Sequence, residues 1–521
     1  MLFNTAEFIF FFLPICLALV LGAARLWGNG SALWVLVLCS LFFYGWWNPY
    51  YLPLLIFSIL FNFYMGRKIA DSKNKPLLVI SIAINLSLLI YYKYANFFID
   101  NINLALDEPI HLSTIILPLA ISFFTFQQIA YLVDSYQGIT KEYSFRHYAL
   151  FVSFFPQLIA GPIVHHKEML PQFERKNRFK LNPSDVAIGL SIFAIGLIKK
   201  TVLADGIARY ATPVFQLAET GESIDFFLAW GGALAYTFQL YFDFSGYSDM
   251  AIGLARIFGI VLPLNFYSPY KATSITEFWR RWHMTLSRFL RDYIYIPLGG
   301  NAKGPSRRYV NLITTMLLGG MWHGAGWNFL IWGALHGGYL TINHAWRHIT
   351  EPLSQRISAQ GWYVFLSWLI TFCAVVVGWV FFRAVSFDGA INILSGMAGL
   401  NGFEIPNALM ARLGGISHYL AAIGIVENQA GGQSFILMWF WNIILLVMVV
   451  TLPTVQDLFY SVRGSLSSLH YVQSNTFWPF RKHFQQQAWQ ASSRWAVVSG
   501  VSFALGVLTL TQVSEFLYFQ F

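Results

Sequence analysis

Apolar runs close to the length of a bilayer crossing recur along the whole chain, separated by short polar segments. A transmembrane helix needs about 20 predominantly apolar residues. This pattern predicts crossings near residues 7–24, 32–48, 51–66, 76–98, 113–133, 184–203, 226–248, 309–325, 327–345, 362–384, 433–455 and 496–514. The short alternating strands of a membrane β-barrel do not occur in the sequence. We therefore expect an all-α polytopic integral membrane protein with about 11–13 transmembrane helices.

The apolar segment 151–164 is too short to cross a bilayer and is interrupted by Pro156, Gly161 and Pro162. Basic residues flank it on both sides: Lys141, Arg146, Lys167, Arg175, Lys176, Arg178 and Lys180. We expect a re-entrant piece that enters and leaves on one side. Irregular backbone at membrane depth is tolerated only inside protein or beside water, so this piece is predicted to line a cavity.

Loop charges predict the orientation of the crossings, because Lys and Arg concentrate in cytoplasmic loops. The loop after the third span carries Arg67, Lys68, Lys73 and Lys75, and the long polar stretch 255–308 is also strongly basic. Both are predicted to be cytoplasmic, as is the loop 481–494 with Arg481, Lys482 and Arg494. Counting spans from these loops predicts that both termini lie outside.

Composition agrees with this class. The chain of 521 residues is 56% hydrophobic and 11% charged, whereas soluble domains carry about 25% charged residues. We expect one integral domain over 1–521, with a catalytic motif region at about 113–345. The net charge of +9 is explained by basic loops, and nothing in the sequence predicts a nucleic-acid partner. Cys16, Cys39 and Cys373 lie in apolar runs and indicate neither a disulfide framework nor a metal site.

Within the stretch 255–308, residues 274–296 have the pattern of an amphipathic helix at the membrane interface. Ser274 with Glu277 predicts a capping box, and Pro297 ends the helix. The predicted ion pairs are Glu277–Arg281 and Arg288–Asp292, and the apolar stripe is Phe278, Trp282, Leu286, Phe289 and Tyr293. His283 lies on the buried edge of this stripe. A site residue and an interfacial histidine that binds lipid phosphate or caps a neighbour explain it equally well.

The stretch 316–338 contains two histidines among glycines and no charged residue. His323 could accept and return a proton, because imidazole titrates near neutrality. Its neighbours Gly319, Gly320, Gly324 and Gly326 would let a substrate or another backbone approach. The alternative is a histidine that only hydrogen-bonds across the bundle. His336 lies on another helical face unless the helix breaks between the two, so we predict a packing role for it.

Asp243 and Asp249 lie near the end of the span 226–248, within "DFSGYSD". They could bind a cation, carry protons or orient a donor, or they could cap a helix end, since this run is rich in turn formers. We favour a structural role. The sequence contains no G-x-S-x-G, H-E-x-x-H, Walker or G-x-G-x-x-G motif, so hydrolases, zinc proteases, ATPases and Rossmann oxidoreductases are unsupported.

Six runs together resemble the membrane-bound O-acyltransferase superfamily, and most closely its bacterial alginate O-acetyltransferase branch. They are "LPLAISFFTFQQIAYLVDSYQG", "FPQLIAGPIVHHKEMLPQF", "LAYTFQLYFDFSGYSDMAIGL", "ITEFWRRWHMTLSRFLRDYIYIPLGGN", "LLGGMWHGAGWNFLIWGALHG" and "FLYFQF". The resemblance implies a fold of transmembrane, re-entrant and interfacial helices around a central funnel. It implies that His323 is the essential histidine, acting as general base, and that His283 is the second catalytic histidine.

Other residues in these motifs are expected to bind substrate or to support the site: Asp243, Asp249, Trp322, Trp279, Arg280 and Arg281. The resemblance also implies a cytoplasmic acyl donor, such as acetyl-CoA or an acyl carrier thioester, with no tightly bound cofactor and no metal. Implied partners are periplasmic acetyltransferase proteins, membrane lipids and an extracytoplasmic polysaccharide such as alginate or cellulose. Alternatives are acyl transfer to peptidoglycan, D-alanyl transfer, and a non-enzymatic polymer or lipid transporter.

Overall fold

The computed structural model of the chain describes residues 1–111, 113–140, 144–175, 179–350, 360–429, 431–459, 488–511 and 517. The helices are α1 (Glu7–Trp27), α2 (Asn29–Gly45), α3 (Pro49–Ser72), α4 (Lys75–Asn103), α5 (Ile121–Gln137), α6 (Phe145–Ser153), α7 (Phe155–Leu158), α8 (His166–Phe173), α9 (Pro183–Glu219), α10 (Phe226–Ile257), α11 (Ile275–Trp279), α12 (Met284–Leu290), α13 (Gly304–His323), α14 (Trp327–Thr350), α15 (Gly361–Arg383), α16 (Phe387–Met397), α17 (Asn407–Met410), α18 (Gly415–Ala422), α19 (Gly432–Thr451), α20 (Val455–Leu458) and α21 (Ser493–Leu508).

The chain is a polytopic α-helical membrane protein, as the hydropathy pattern predicts. Among the described residues, six helical segments are long and apolar enough to cross a bilayer: α1, α3, α4, α9, α15 and the segment Gly432–Leu458. Two shorter apolar helices, α2 and α21, correspond to further predicted crossings. The remaining predicted crossings are α5, α10, α13 and α14, and the last three contain Asp243, Asp249, His323 and His336.

Glycines let α9 and α10 pack with their backbones almost in contact. A Cβ added at Gly196 would lie 2.6 Å from the carbonyl oxygen of Gly246, and one at Gly253 would lie 2.5 Å from the carbonyl oxygen of Gly189. Small residues at helix interfaces are the usual means of close approach in membranes, where lipid supplies no hydrophobic drive between helices. These two helices therefore form a tightly packed centre of the bundle.

The segment 151–164 is helical only in part, as its prolines and glycine predict. α6 ends at Ser153, and α7 is a single turn that ends at Leu158. Every residue from Tyr148 to Val164 is buried, so the irregular backbone lies inside protein. Its amide at Ile163 donates a hydrogen bond to Thr285 Oγ1 at 3.0 Å, which fixes this segment against α12.

The predicted single helix over 274–296 is wrong. α11 ends at Trp279 and α12 begins at Met284, because His283 takes a left-handed conformation with φ of 41°. Ser274 caps α11 and Glu277 pairs with Arg281 at 2.7 Å, as predicted. The second predicted pair does not form, since Arg288 pairs instead with Glu168 at 2.5 Å. Four residues of the apolar stripe, Phe278, Trp282, Leu286 and Phe289, are buried inside the protein, and Tyr293 is partly exposed.

The loop 385–432 is partly folded. It contains α16, α17, α18 and a parallel pair of short strands, β1 (Phe403–Pro406) and β2 (Ile425–Asn428), which adds a small sheet to an otherwise helical chain. Several predictions fall outside the described residues: Lys141, Lys176, Arg178, Arg481, Lys482 and all of the terminal "FLYFQF" except Leu517.

Candidate functional site

His323 is the last residue of α13, at the turn of a tight antiparallel helix pair. Gly324 is extended (φ −165°, ψ 158°) and α14 begins at Trp327. A Cβ added at Gly320 would lie 2.2 Å from the Phe329 carbonyl oxygen, and one at Gly333 would lie 2.5 Å from the Met316 carbonyl oxygen. The glycines therefore let α13 and α14 pack backbone to backbone, with the imidazole held at their junction.

The His323 side chain lies inside a box of aromatic rings. Its ring centroid is 4.9 Å from that of Trp322, 5.0 Å from that of Trp332 and 5.1 Å from that of Phe382. The residue is 8% exposed. The expected space beside its glycines is filled by protein, because a Cβ at Gly324 would lie 2.1 Å from the Phe329 ring. The sequence analysis predicted that either a substrate or another backbone would approach these glycines. At Gly320 the structure shows the second case, because the Phe329 carbonyl lies against it.

His336 lies in the same aromatic cluster as His323, so the prediction that its face points elsewhere is wrong. The helix break after His323 turns α14 back against α13, and His336 packs 4.8 Å from the Trp332 ring that also contacts His323. His336 is fully buried, and its Nδ1 accepts a hydrogen bond from Trp279 Nε1 at 3.3 Å. The predicted packing role of His336 is therefore supported by its burial and this hydrogen bond, and not by the helical face on which it was expected to lie.

The left-handed backbone at His283 directs its imidazole into the protein, where the residue is 1% exposed. Nδ1 lies 2.9 Å from Asn265 Oδ1, which also accepts a hydrogen bond from Thr285 Oγ1 at 2.9 Å. An amide oxygen only accepts hydrogen bonds, so Nδ1 carries the proton and Nε2 holds a lone pair. This Nε2 is buried and has no hydrogen-bond partner within the part of the chain that the structure describes.

Trp322 connects the two predicted catalytic histidines. Its ring lies 6.1 Å from that of His283 and 4.9 Å from that of His323. The indole also stacks on Phe126, with 5.4 Å between the ring centroids. The structure therefore brings together His283, His323 and Trp322 from motifs that are separated in the sequence.

Lys93, on α4, is a site residue that the sequence analysis missed. Its Nζ donates hydrogen bonds to the Trp322 carbonyl and to Ser122 Oγ, the latter at 3.3 Å, and it lies 5.8 Å from the Trp322 ring centroid. The residue is 8% exposed. A lysine inside a predicted span is itself a signal, because intramembrane charges are costly and mark functional positions.

A cavity of about 620 Å³ opens beside this cluster, within the region predicted to be cytoplasmic. Trp279 lines it and also contacts His336, so the cavity reaches the aromatic layer around the histidines. Its wall carries four arginines, Arg280, Arg288, Arg291 and Arg308. Two of them form ion pairs, Arg288 with Glu168 and Arg291 with Asp292, so an anionic molecule would share these guanidinium groups with the carboxylates. Thus two of the predicted substrate-binding residues, Trp279 and Arg280, line a cavity suited to an anionic molecule.

Other predicted site residues have structural contacts. Arg281 is 1% exposed and is held by Glu277 and by the Tyr267 carbonyl at 3.2 Å.

The two aspartates of α10 form buried ion pairs with lysines of α9. Asp243 lies 2.5 Å from Lys200, and Asp249 lies 2.6 Å from Lys199. Gln456 also donates to Asp249 at 3.2 Å. These contacts favour the support role predicted for both carboxylates.

Asn265 also escaped the sequence analysis. Nothing near it in the sequence signals a partner for His283, because the two residues meet only through the tertiary fold.

Comparison with known proteins gives consistent matches over most of the chain. The family model described as "MBOAT, membrane-bound O-acyltransferase family" matches residues 133–382. A peptidoglycan O-acetyltransferase from Helicobacter pylori is 48% identical over 436 residues, covering 78% of this chain and 81% of that protein. A probable alginate O-acetylase from Pseudomonas putida is 41% identical over 428 residues, covering 80% and 84%. A teichoic acid D-alanyltransferase from Streptococcus thermophilus is 30% identical over 282 residues, covering 51% and 68%.

Proposed function

Because the chain belongs to the membrane-bound O-acyltransferase family, we propose that this O-acyltransferase carries an acetyl group from a cytoplasmic thioester to an extracytoplasmic glycan, with His323 as general base. Membership in this family favours an enzyme over the transporter that the sequence left open. The proposed location is the inner membrane of a bacterium, with both termini outside.

The observation that carries the proposal is that His283 and His323 both contact the ring of Trp322, in a cluster of aromatic side chains. Aromatic walls exclude water, and a base shielded from water can remove a proton from a hydroxyl without competing hydrolysis of the thioester. His283 presents an unprotonated Nε2 without a partner, which is free to accept a hydrogen bond from a bound molecule. His323 is therefore assigned the proton transfer, and His283 the positioning of the donor.

The reaction requires no covalent acyl-enzyme. The imidazole of His323 takes the proton from the acceptor hydroxyl while the oxygen forms a bond to the thioester carbonyl carbon. The carbon–sulfur bond then breaks, and the thiolate leaves and takes up the proton from the imidazolium. General-base catalysis of this kind typically contributes about 10²–10⁴-fold.

The basic cavity supports a donor that carries phosphate. Arg280, Arg288, Arg291 and Arg308 line it, and arginine binds phosphate oxygens through two parallel hydrogen bonds. Acetyl-CoA and acyl carrier thioesters both place phosphate at a distance from the thioester. The cavity would hold this phosphate while the acyl end reaches the histidines beyond Trp279.

The acceptor is proposed to be a glycan outside the cytoplasm, reached with periplasmic acetyltransferase partners. An exopolysaccharide such as alginate or cellulose is one candidate, supported by the similarity to alginate O-acetylases. Peptidoglycan is a second candidate, supported by the 48% identity to a peptidoglycan O-acetyltransferase. D-alanyl transfer has weaker support, since that relative is 30% identical and matches only 51% of the chain.

The test is the acetyl ester content of purified exopolysaccharide and of digested peptidoglycan from cells that express His323→Gln, His283→Gln or His348→Gln. Glutamine fills most of the imidazole volume, which limits packing losses in the aromatic box. His348 is exposed on α14 and serves as the matched control.

We expect His323→Gln to lower ester content at least 100-fold at matched membrane levels, His283→Gln to lower it less, and His348→Gln to have no effect. The glycan that loses its esters identifies the acceptor. Normal ester content in His323→Gln would refute its assignment as the base.

A further inference from the structure

A second cluster of polar side chains lies outside the proposed active site, where α5, the start of α8 and the turn after α12 meet. Asp134, His165 and His166 each direct one potential metal-ligand atom to this point, and these atoms all lie within 4.8 Å of one another. The Tyr293 hydroxyl reaches the same point, 2.9 Å from Asp134 Oδ2 and 2.7 Å from His165 Nε2. Residues distant in sequence therefore converge on one volume.

We propose that Asp134, His165 and His166 bind one divalent transition-metal ion of the Zn²⁺ class, with the Tyr293 hydroxyl beside the fourth position. Two imidazoles and one carboxylate are a common zinc ligand set, in which a fourth position is left for water or another group. Cations that prefer only oxygen ligands, such as Mg²⁺ and Ca²⁺, fit this set poorly.

The distances agree with such a site. Zn–N and Zn–O bonds of about 2.0–2.1 Å in a tetrahedron place neighbouring ligand atoms roughly 3.3 Å apart. Here Asp134 Oδ2 lies 2.9 Å from His165 Nε2 and 3.4 Å from His166 Nδ1. All three ligand atoms lie within 4.8 Å of one another, so the two imidazoles would approach each other by up to about 1.5 Å to complete a tetrahedral set.

Charge and access also fit. The Asp134 and His166 side chains are 4% and 3% exposed, so the pocket excludes most water, while His165 is 20% exposed and leaves a path for entry. The buried carboxylate of Asp134 supplies a negative charge that attracts a divalent ion. In the ion-free site the near nitrogens, His165 Nε2 and His166 Nδ1, face the Asp134 carboxylate and donate to it. The far nitrogens, His165 Nδ1 and His166 Nε2, have no hydrogen-bond partner among the described residues, so each ring can carry its proton there when an ion takes the near nitrogen.

A metal ion at this site would stabilise one wall of the arginine-lined cavity. Tyr293 lies in the same turn as Arg291 and shortly after Arg288, and both arginines line that cavity. Glu168, two residues after His166, forms the ion pair with Arg288. The ion would therefore join α5 and the start of α8 to the helical turn that carries these arginines.

The test uses the full chain, purified in detergent without a histidine tag, stripped with a chelator and titrated with Co²⁺. Asp134→Asn and His165→Gln remove ligands while nearly keeping side-chain volume. His147→Gln is the matched control, a nearby histidine of α6 outside the cluster. Visible d–d absorption reports Co²⁺ in a low-symmetry site, and elemental analysis reports the metal that copurifies.

We expect the unaltered chain and His147→Gln to bind one Co²⁺ per chain, and each ligand variant to bind at least 10-fold more weakly. Added metal should also raise the melting temperature of the unaltered chain and of His147→Gln, but not of Asp134→Asn. A chain whose Co²⁺ spectrum and melting temperature match those of Asp134→Asn would overturn the proposal. Because neither readout depends on acyl transfer, this outcome would leave the proposed function intact.

Discussion

Gly320→Ala tests whether the close packing of α13 and α14 positions His323. The added methyl would lie 2.2 Å from the Phe329 carbonyl oxygen and 3.2 Å from Gly333 Cα. Both are backbone atoms and cannot rotate away, so one helix must retreat by roughly 1 Å to restore van der Waals contact. Overpacking of this kind costs about 1–3 kcal/mol, and the better helix propensity of alanine returns up to about 1 kcal/mol. We expect a net loss of about 1–2 kcal/mol.

Activity should fall more than stability, because His323 lies only one turn beyond the contact. Misplacing a catalytic group by about 1 Å can cost roughly 100-fold in rate. The assay is glycan ester formation per folded molecule, with thermal unfolding in detergent measured on the same preparation.

Gly338→Ala is the control for this experiment. It lies on α14, where an added Cβ meets no atom within 4 Å, so it should be neutral or slightly stabilising. The reasoning is refuted if Gly320→Ala and Gly338→Ala have the same melting temperature and the same activity.

Asn265→Leu should lower acyl transfer about 5- to 10-fold, the value of one hydrogen bond of about 1 kcal/mol, because His283 loses the acceptor that fixes its tautomer; unchanged ester content would contradict this. Asp249→Asn should reduce the yield of folded protein by leaving the Lys199 ammonium without its carboxylate, at a cost of about 3 kcal/mol. It should leave activity per folded molecule near normal, and the opposite result would give Asp249 a chemical role. A cysteine introduced by Lys303→Cys should react with a membrane-impermeant maleimide only after the cytoplasmic face is opened, and efficient labelling of intact cells would reverse the predicted topology.

Hydropathy predicted the helices well where lipid decides the pattern. The span predicted at 76–98 lies within α4, and that at 362–384 matches α15 to within a residue. Hydropathy failed where tertiary contacts inside the protein determine the backbone conformation. The periodic pattern over 274–296 gives no Pro or Gly to mark a break, yet tertiary contacts of His283 with Asn265 split that helix.

The candidate site was predictable as a set of residues but not as an arrangement. His283 and His323 come from the motif resemblance, while their shared contact with Trp322 depends on the fold. The position of His336 was predicted wrongly because a continuous helix was assumed across "HGAGW". The two glycines of that run could have indicated that the helix ends there. Lys93 was also available, as a charge within a predicted span.

The paired charges between α9 and α10 have a consequence for how the chain enters the membrane. Lys199 and Lys200 lie near the end of a predicted span, and a lysine at the centre of an inserting helix costs about 2.5–3.5 kcal/mol on translocon scales. Lys200 pairs with Asp205 of its own helix as well as with Asp243, but Asp249, the partner of Lys199, is synthesised later, on the next span. The span in α9 is thus poorly suited to move from the translocon into lipid before α10 has been synthesised. We expect it to wait beside the channel until its partner emerges, so that the two helices enter lipid as a neutralised pair.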